Sequence, residues 1–319
     1  MKKRYLLAAA FSLLVIGYVI AKLDWKAALE TFIHLNWTWL GLAFGIYLVN
    51  YVLRTIRFQA LLSLKEAPVL PLFGVTDLYG MYLYLMPAKF GEASYPLLLK
   101  DRLGISLADS TATLIVARLF DFVTIALFLP AVLVVFWNQI NPWIRIGALV
   151  FVGSVLALSL ALLWFLRRPA SADWLQQKAQ ASHPRARRLW SAAYRLTLSL
   201  QIIDKRKQYW QLFILTILIW LCVQLNFYFI VISLGYTLSL FQMIVVSIIM
   251  VPMTLLPLQG FANLGTHEIG WTAAFALFGY PEKTALAIAF STHVILLTFV
   301  LLLGLLGAWL VRGARRTHV

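Results

Sequence analysis

Two apolar stretches of this chain are interrupted by proline and glycine in the same way, and these breaks constrain its fold more than any other feature. The first stretch reads Leu-Met-Pro-Ala-Lys-Phe-Gly-Glu-Ala-Ser-Tyr-Pro over residues 85–96. It runs on to Leu103-Gly104 and then into a hydrophobic helix carrying Arg118. The second runs from Leu255 to Gly270 through Pro257, Gly260 and Gly265. It reaches Phe278-Gly279 and then a hydrophobic helix carrying His293. Gly104 to Arg118 and Gly279 to His293 are equal separations, and Glu92 and Glu268 stand at nearly equal distances before their glycines. Broken hydrophobic segments at matching places in two halves point to a transporter-type binding site at mid-membrane.

With 62% hydrophobic and 12% charged residues, a soluble globule is excluded. The apolar runs Tyr5–Ile20, Trp37–Leu53, Ser110–Trp137, Trp143–Leu166, Gln211–Leu234 and Thr284–Val311 approach or exceed the length a helix needs to cross a bilayer. The fold class expected is therefore an all-α polytopic membrane protein, a single integral membrane domain over residues 1–319. It has about six full spans and two re-entrant hairpins.

Charge sets the orientation. If Lys2-Lys3-Arg4 is cytoplasmic, then Arg54, Arg57, Lys65, Lys100, Arg102, the basic stretch Arg167–Lys207 and Arg312, Arg315 and Arg316 all fall inside. Lys22, Lys26, Arg145 and Lys283 fall outside. The net charge of +15 is thus a topology signal and a contact with anionic lipid, and nucleic acid is excluded as a partner. The threading requires residues 72–99 to enter and leave from inside and residues 240–278 from outside. Each half, 37–137 and 211–311, then reads span, hairpin, span in opposite orientation, with both termini cytoplasmic. The alternative makes each hairpin two complete spans, leaving Lys89 and Glu92 in a very short outer loop.

Local signals mark the boundaries. Gly104 and Gly279 suit the left-handed residue that ends a helix. Ser106 with Asp109 forms a capping box, and Pro281 suits a first helical turn. Residues 24–35 place Trp25, Ala28, Leu29, Phe32 and Ile33 at helical spacing, as in a short interfacial helix. The first span also resembles a secretory signal, with Val19-Ile20-Ala21 fitting a cleavage site; a retained signal anchor is the expectation. The basic stretch Arg167–Lys207, with Trp174 and Trp190, reads as a cytoplasmic loop lying on headgroups or as a solvated linker. The lone Cys222 rules out an internal disulfide.

Ionisable side chains at membrane depth carry the chemistry: Asp77, Lys89, Glu92, Arg118, Asp121, His267, Glu268 and His293. Each would cost about 2.5–3.5 kcal/mol at the bilayer centre, so they must face the bundle interior, water or one another. Arg118 and Asp121, one turn apart, can pair, which is a structural alternative to a binding role. Lys89, Gly91 and Glu92 lie at one break and Gly265, His267 and Glu268 at the other, where backbone groups are free to meet a ligand. Asp77 stands alone in the first hairpin arm. His293 on its own reads as a core histidine, and its match to Arg118 in the repeat raises it to a candidate. Helix N-termini at the breaks favour anions, and Lys89 and Arg118 add positive charge. An anionic or zwitterionic, phosphate-bearing amphiphile is the guest this chemistry suits.

Arg54-x-x-Arg57 closing a helix, Pro87-Ala88-Lys89-Phe90-Gly91-Glu92 followed by Leu97-Leu98-Leu99-Lys100, Arg118-Leu119-Phe120-Asp121, and Pro257 through Gly260 and Gly265 to Glu268 follow one another in order. In this combination the whole chain resembles the stand-alone transmembrane region of the lysylphosphatidylglycerol synthase/flippase superfamily, the membrane half of multiple peptide resistance factor proteins. The resemblance implies movement of a lipid or lipid-linked headgroup between leaflets of a prokaryotic inner (plasma) membrane. In multiple peptide resistance proteins that lipid is aminoacylated phosphatidylglycerol. The soluble aminoacyl-transferring domain is not matched, so synthase activity does not carry over. His267 and His293 stand where the family usually has arginine, which implies a site whose charge varies with pH. A lipid flippase is the leading expectation; a membrane-embedded lipid-modifying enzyme or an accessory subunit of an envelope pathway are the others. No catalytic constellation, metal motif or cofactor motif is present in the sequence. Membrane lipids are the expected partners, and assembly into a homo-oligomer stays open.

Overall fold

A computed structural model describes residues 17, 21–23, 25–62, 68–135, 137, 142–205, 208–255 and 260–312. The first expected span apart from Gly17, residues Val19 and Ile20 of the expected cleavage site, Lys65, Lys207, Pro257, and Lys2, Lys3, Arg4, Arg315 and Arg316 at the chain ends lie outside the described residues. Every regular element among the described residues is helical. They are α1 (Trp25–Ile33), α2 (Trp37–Leu62), α3 (Val69–Leu85), α4 (Ser94–Leu103), α5 (Leu107–Val135), α6 (Pro142–Arg167), α7 (Pro169–Ala181), α8 (Pro184–Lys205), α9 (Tyr209–Ser233), α10 (Leu240–Leu255), α11 (Thr266–Ala276) and α12 (Glu282–Arg312). Short 3-10 turns, Pro87–Ala93 and Phe261–Asn263, separate α3 from α4 and α10 from α11. Five of the helices, α2, α5, α6, α9 and α12, are long and apolar enough to cross a membrane. The chain is an all-helical integral membrane protein.

Local chemistry accounts for the helix ends. Gly104, Gly235 and Gly279 adopt left-handed φ values of 68°, 84° and 76°, a conformation open to glycine without a Cβ clash. Ser106 Oγ accepts the Asp109 N–H at 3.1 Å and donates to the Asp109 carboxylate, the expected capping box at the start of α5. Pro281 acts just before α12, where its carbonyl accepts the Ala285 N–H at 2.9 Å.

The helices form two compact units. The first comprises Met1–Val52, Phe73–Ser94 and Trp220–Gly313. In its core, Ala43, Tyr47 and Tyr51 of α2 meet Ile230 and Leu234 of α9 and Ile295, Leu296, Phe299, Val300 and Leu303 of α12. A second cluster joins Met243 and Val246 of α10 to Trp271, Ala274 and Phe275 of α11 and Ile288 of α12. Helix α1, expected from its spacing, lays Ala28 against Leu286 and Ala287 of α12.

The second unit comprises Leu53–Leu72, Tyr95–Ile219 and Ala314–Val319. It corrects two expectations. Arg54 and Arg57 do not close their helix, because α2 continues to Leu62. The stretch expected as a loop or linker is the helical pair α7 and α8, which packs on α5 and α6. Ala172, Leu175 and Ala179 bury one face of α7, while Trp174 and Trp190 meet edge to face at 5.5 Å. The apolar face uses mostly small residues among many basic ones, so its periodicity is faint in the sequence.

Two glycine substitutions separate crowding from backbone strain. A Cβ at Gly91 would strike the Tyr82 carbonyl and the Leu83 backbone, whereas Gly104 faces open space at positive φ. Gly104→Ala should cost about 1–2 kcal/mol of strain. Gly91→Ala should cost about 1–3 kcal/mol and displace the break itself. Thermal melting in detergent should rank Gly91→Ala as the more damaging, and Gly104→Asn as milder than Gly104→Ala.

Candidate functional site

At the first break, Met86 leaves the helix at φ −81°, ψ 132°, as the residue before a proline is pushed to do. The 3-10 turn that follows holds Lys89 at φ 64°, an uncommon left-handed conformation for a residue with a side chain. Gly91 packs backbone to backbone against Tyr82 and Leu83, and its carbonyl accepts the Ser94 hydroxyl at 2.7 Å. The Tyr79 hydroxyl donates to Glu92 Oε2 at 2.7 Å, tying the turn back to α3.

The second break is built around Glu268. Ala262 and Asn263 have φ values of 52° and 60°, and Gly265 stands at φ 93° just before α11. Glu268, in the first turn of α11, accepts the Gly265 N–H on Oε2 at 2.7 Å. Its Oε1 meets His293 Nδ1 of α12 at 2.5 Å, and His293 Nε2 donates to the Ala262 carbonyl at 2.7 Å. A carbonyl can only accept, so Nε2 carries hydrogen. The Glu268–His293 contact then shares one further proton, either as imidazolium with carboxylate or as imidazole with carboxylic acid. Both forms have no net charge. Both side chains are buried.

His267 lies beside this pair. Its ring stacks on Trp271 at 4.9 Å and approaches His293 at 4.7 Å. The Thr292 hydroxyl donates to the Ile288 and Ala289 carbonyls, so at 3.4 Å it is placed to accept from His267 Nε2. Tyr84, at the end of α3, sets its ring edge-on to His293 at 5.8 Å, and the two 3-10 turns touch. The two breaks of the sequence therefore meet inside one compact unit.

Arg118 and Asp121 belong to the other unit, and their pairing is richer than the sequence indicated. Arg118 Nη1 reaches Asp121 Oδ2 at 3.2 Å, while Arg57 Nη1 holds Oδ1 at 2.7 Å and also reaches Thr216 Oγ1 at 3.3 Å. Arg57, which the charge distribution counts with Arg54 among the basic residues on the cytoplasmic side, is only 1% exposed. The repeat-related positions Arg118 and His293 thus find acids in different ways, one on its own helix and one on the helix before. Asp77 is buried on α3, and neither of its carboxyl oxygens has a hydrogen-bond partner among the described residues. Among those residues no cluster of three His, Cys, Asp or Glu side chains is placed to hold a metal ion.

The family model described as the lysylphosphatidylglycerol synthase TM region matches residues 5–304. The chain belongs to this family. Searches of curated proteins and of solved structures return no match. Membership makes the protein a membrane domain of a family tied to lipid modification or transport. Both breaks, the Glu268–His293 pair and the Arg57–Asp121 contact fall inside the matched region.

Tyr79, Tyr84, Trp271 and Thr292 were not singled out in the sequence. Aromatic residues abound in this chain, and nothing in their spacing distinguishes these from core packing. The signal for Arg57 was present but misread: a basic residue within reach of a helix end can equally turn inward when an acid on another helix needs it.

The Asp121 cluster yields an ordering of stabilities. Arg57→Leu removes the shorter and fully buried contact and should cost about 3–5 kcal/mol. Arg118→Ala should cost less, because Arg118 is partly exposed and Asp121 keeps Arg57. Melting temperatures of the purified variants in detergent should fall in that order.

Proposed function

We propose that this protein is a lipid flippase of a prokaryotic inner (plasma) membrane, moving a phosphate-bearing lipid or lipid-linked headgroup between leaflets. The observation that carries the proposal is the meeting of the two breaks beside the buried Glu268–His293 pair. Freed backbone groups at membrane depth are tolerated where they are buried in protein or line a cavity. The N–H groups at the start of α11 favour an anion, and Lys89 supplies a cation at the other break. The Glu268–His293 pair, neutral as a unit, does not repel a phosphate. Glu92, tied to Tyr79, places an acidic group at the first break that suits the amine of a zwitterionic headgroup, while the acyl tails stay in the bilayer.

In this proposal Lys89, Gly91, Glu92, Gly265, His267, Glu268 and His293 form the binding layer, and Arg118 and Asp121 with Arg57 fix helix packing. The chain acts as a single domain with both termini cytoplasmic. The segments around the breaks are re-entrant hairpins of an inverted repeat, one opening to each side. The reading needs no cofactor, no metal and no catalytic group, and a homo-oligomer is not required.

Two measurements test it. In proteoliposomes containing fluorescent phosphatidylglycerol, quenching by an impermeant reagent reports lipid reaching the outer leaflet. The native protein should accelerate this. Glu268→Gln keeps the shape and the bond from Gly265 while removing the shared proton, and should slow movement at least about tenfold, a loss of about 1.4 kcal/mol at the barrier. A native rate equal to that of protein-free vesicles would overturn the flippase reading. For topology, Ala93→Cys and Phe261→Cys in a Cys222→Ser background should react with an impermeant thiol reagent from opposite faces. Labelling of both from the same face would sink the inverted hairpins.

A further inference from the structure

Asp77 is a buried acid of the binding-layer unit that the Glu268–His293 site does not use. It is 1% exposed, and neither carboxyl oxygen has a hydrogen-bond partner among the described residues. An ionisable side chain inside a membrane helix is a functional site by default, since its cost selects against it otherwise.

Its setting is a seam of unusually close helix contact. A Cβ at Gly74 of α3 would meet the Gly307 carbonyl and the Val311 side chain of α12 at 2.9 Å. A Cβ at Gly307 would meet Asp77 Cβ at 2.7 Å, and one at Gly304 would collide with Met81. Gly74, Asp77 and Met81 lie on one face of α3, and Gly304, Gly307 and Val311 on one face of α12. The two backbones are therefore in contact along the face that holds the carboxyl.

The titratable groups around it are few. The α12 segment opposite, Leu303 to Val311, contains none; Arg312 follows it at the very end of the helix, where it is exposed, and His293, further back, is held by Glu268. From α2, Tyr47 donates to Tyr51 at 3.3 Å, and Tyr51 packs against Gly80. On α3 itself, Tyr79 is engaged with Glu92, and Tyr84 faces His293. None of these groups, Arg312 included, makes a hydrogen bond to the Asp77 carboxyl among the described residues.

We propose that Asp77 is a proton-binding site that governs whether α3 and α12 stay in contact. With the seam closed, the side chain carries its proton, because a carboxylate there would be buried with no hydrogen bond from a described residue. Loss of the proton to entering water leaves a carboxylate that needs hydration, and hydration requires the two backbones to part. Rebinding a proton lets them close. The reaction is a single reversible transfer, carboxylic acid to carboxylate plus a hydrated proton, with no other reactant. Helix α3 ends at the first break and α12 carries His293 to the second, so a parting seam would move both. This last link rests on the flippase reading; the proton site does not.

The test is infrared difference spectroscopy of the full chain in liposomes, titrated from acid to alkaline pH. The carbonyl stretch of a protonated acid is absent from a carboxylate. The native protein should show such a band that disappears on alkalinisation, together with faster amide exchange after correction for the intrinsic rate. Asp77→Asn should lack the band and show slow exchange at every pH. If Asp77→Asn fails to fold, Asp77→Glu should move the band to a new frequency. A native spectrum in which no acid band depends on residue 77 would overturn the proposal. A band present while exchange is pH-independent would overturn its control of the seam. Lipid movement is read separately: with the proton site established, transport unchanged by Asp77→Asn would break the link to flipping alone.

Discussion

At the second break a single carboxyl group ties three pieces of chain together. Glu268 caps its own helix through the Gly265 N–H and holds His293 of α12, and His293 in turn satisfies the Ala262 carbonyl. In water such a break would be solvated and need no help. In hydrocarbon, every N–H and C=O released from a helix must find a partner within the protein. The Glu268–His293–Ala262 chain meets that demand, and the left-handed residues of the turn persist because the surroundings over-determine them. The contact between the two 3-10 turns and the aromatic shell of Trp271 and Tyr84 follow from where this chain of bonds fixes the backbone.

The first break solves the same problem with different chemistry. Gly91 is pressed on the α3 backbone, Ser94 caps the Gly91 carbonyl and Tyr79 reaches across to Glu92. The repeat visible in the sequence thus preserves positions while the partners diverge. Arg118 shares Asp121 with Arg57, a partner distant in the chain, whereas its counterpart His293 takes an acid from the element just before it. Equal spacing could therefore reveal the breaks but could not name the contacts.

What was legible followed the range of the interaction. The left-handed glycines at 104 and 279 and the Ser106–Asp109 capping box involve neighbours in the chain, so residue type and spacing suffice. The long spans were legible because length and apolarity alone define them. Arg57 was misjudged because its acid lies on another helix and nothing near Arg57 announces it. The sequence of α7 and α8 suggests a loop because charge masks their weak apolar stripe; what orders them is packing on α5 and α6, a property of the assembled unit. That Glu268 and His293 share a proton was likewise out of reach, since only geometry shows which imidazole nitrogen faces the carboxyl.

The glycines between α3 and α12 have a mechanical consequence. Interlocked side chains usually lock two helices into discrete registers, so that sliding one past the other means lifting ridges out of grooves. Where Gly74 and Gly307 bring main chain against main chain, those ridges are missing, while at Gly304 the Met81 side chain is seated. Longitudinal shear at the Gly74–Gly307 crossing itself then meets little corrugation, and what resists it is the Met81 side chain leaving Gly304. The seam is built like a short bearing at the Gly74–Gly307 crossing, with the Met81 and Asp77 side chains as the catches in its track.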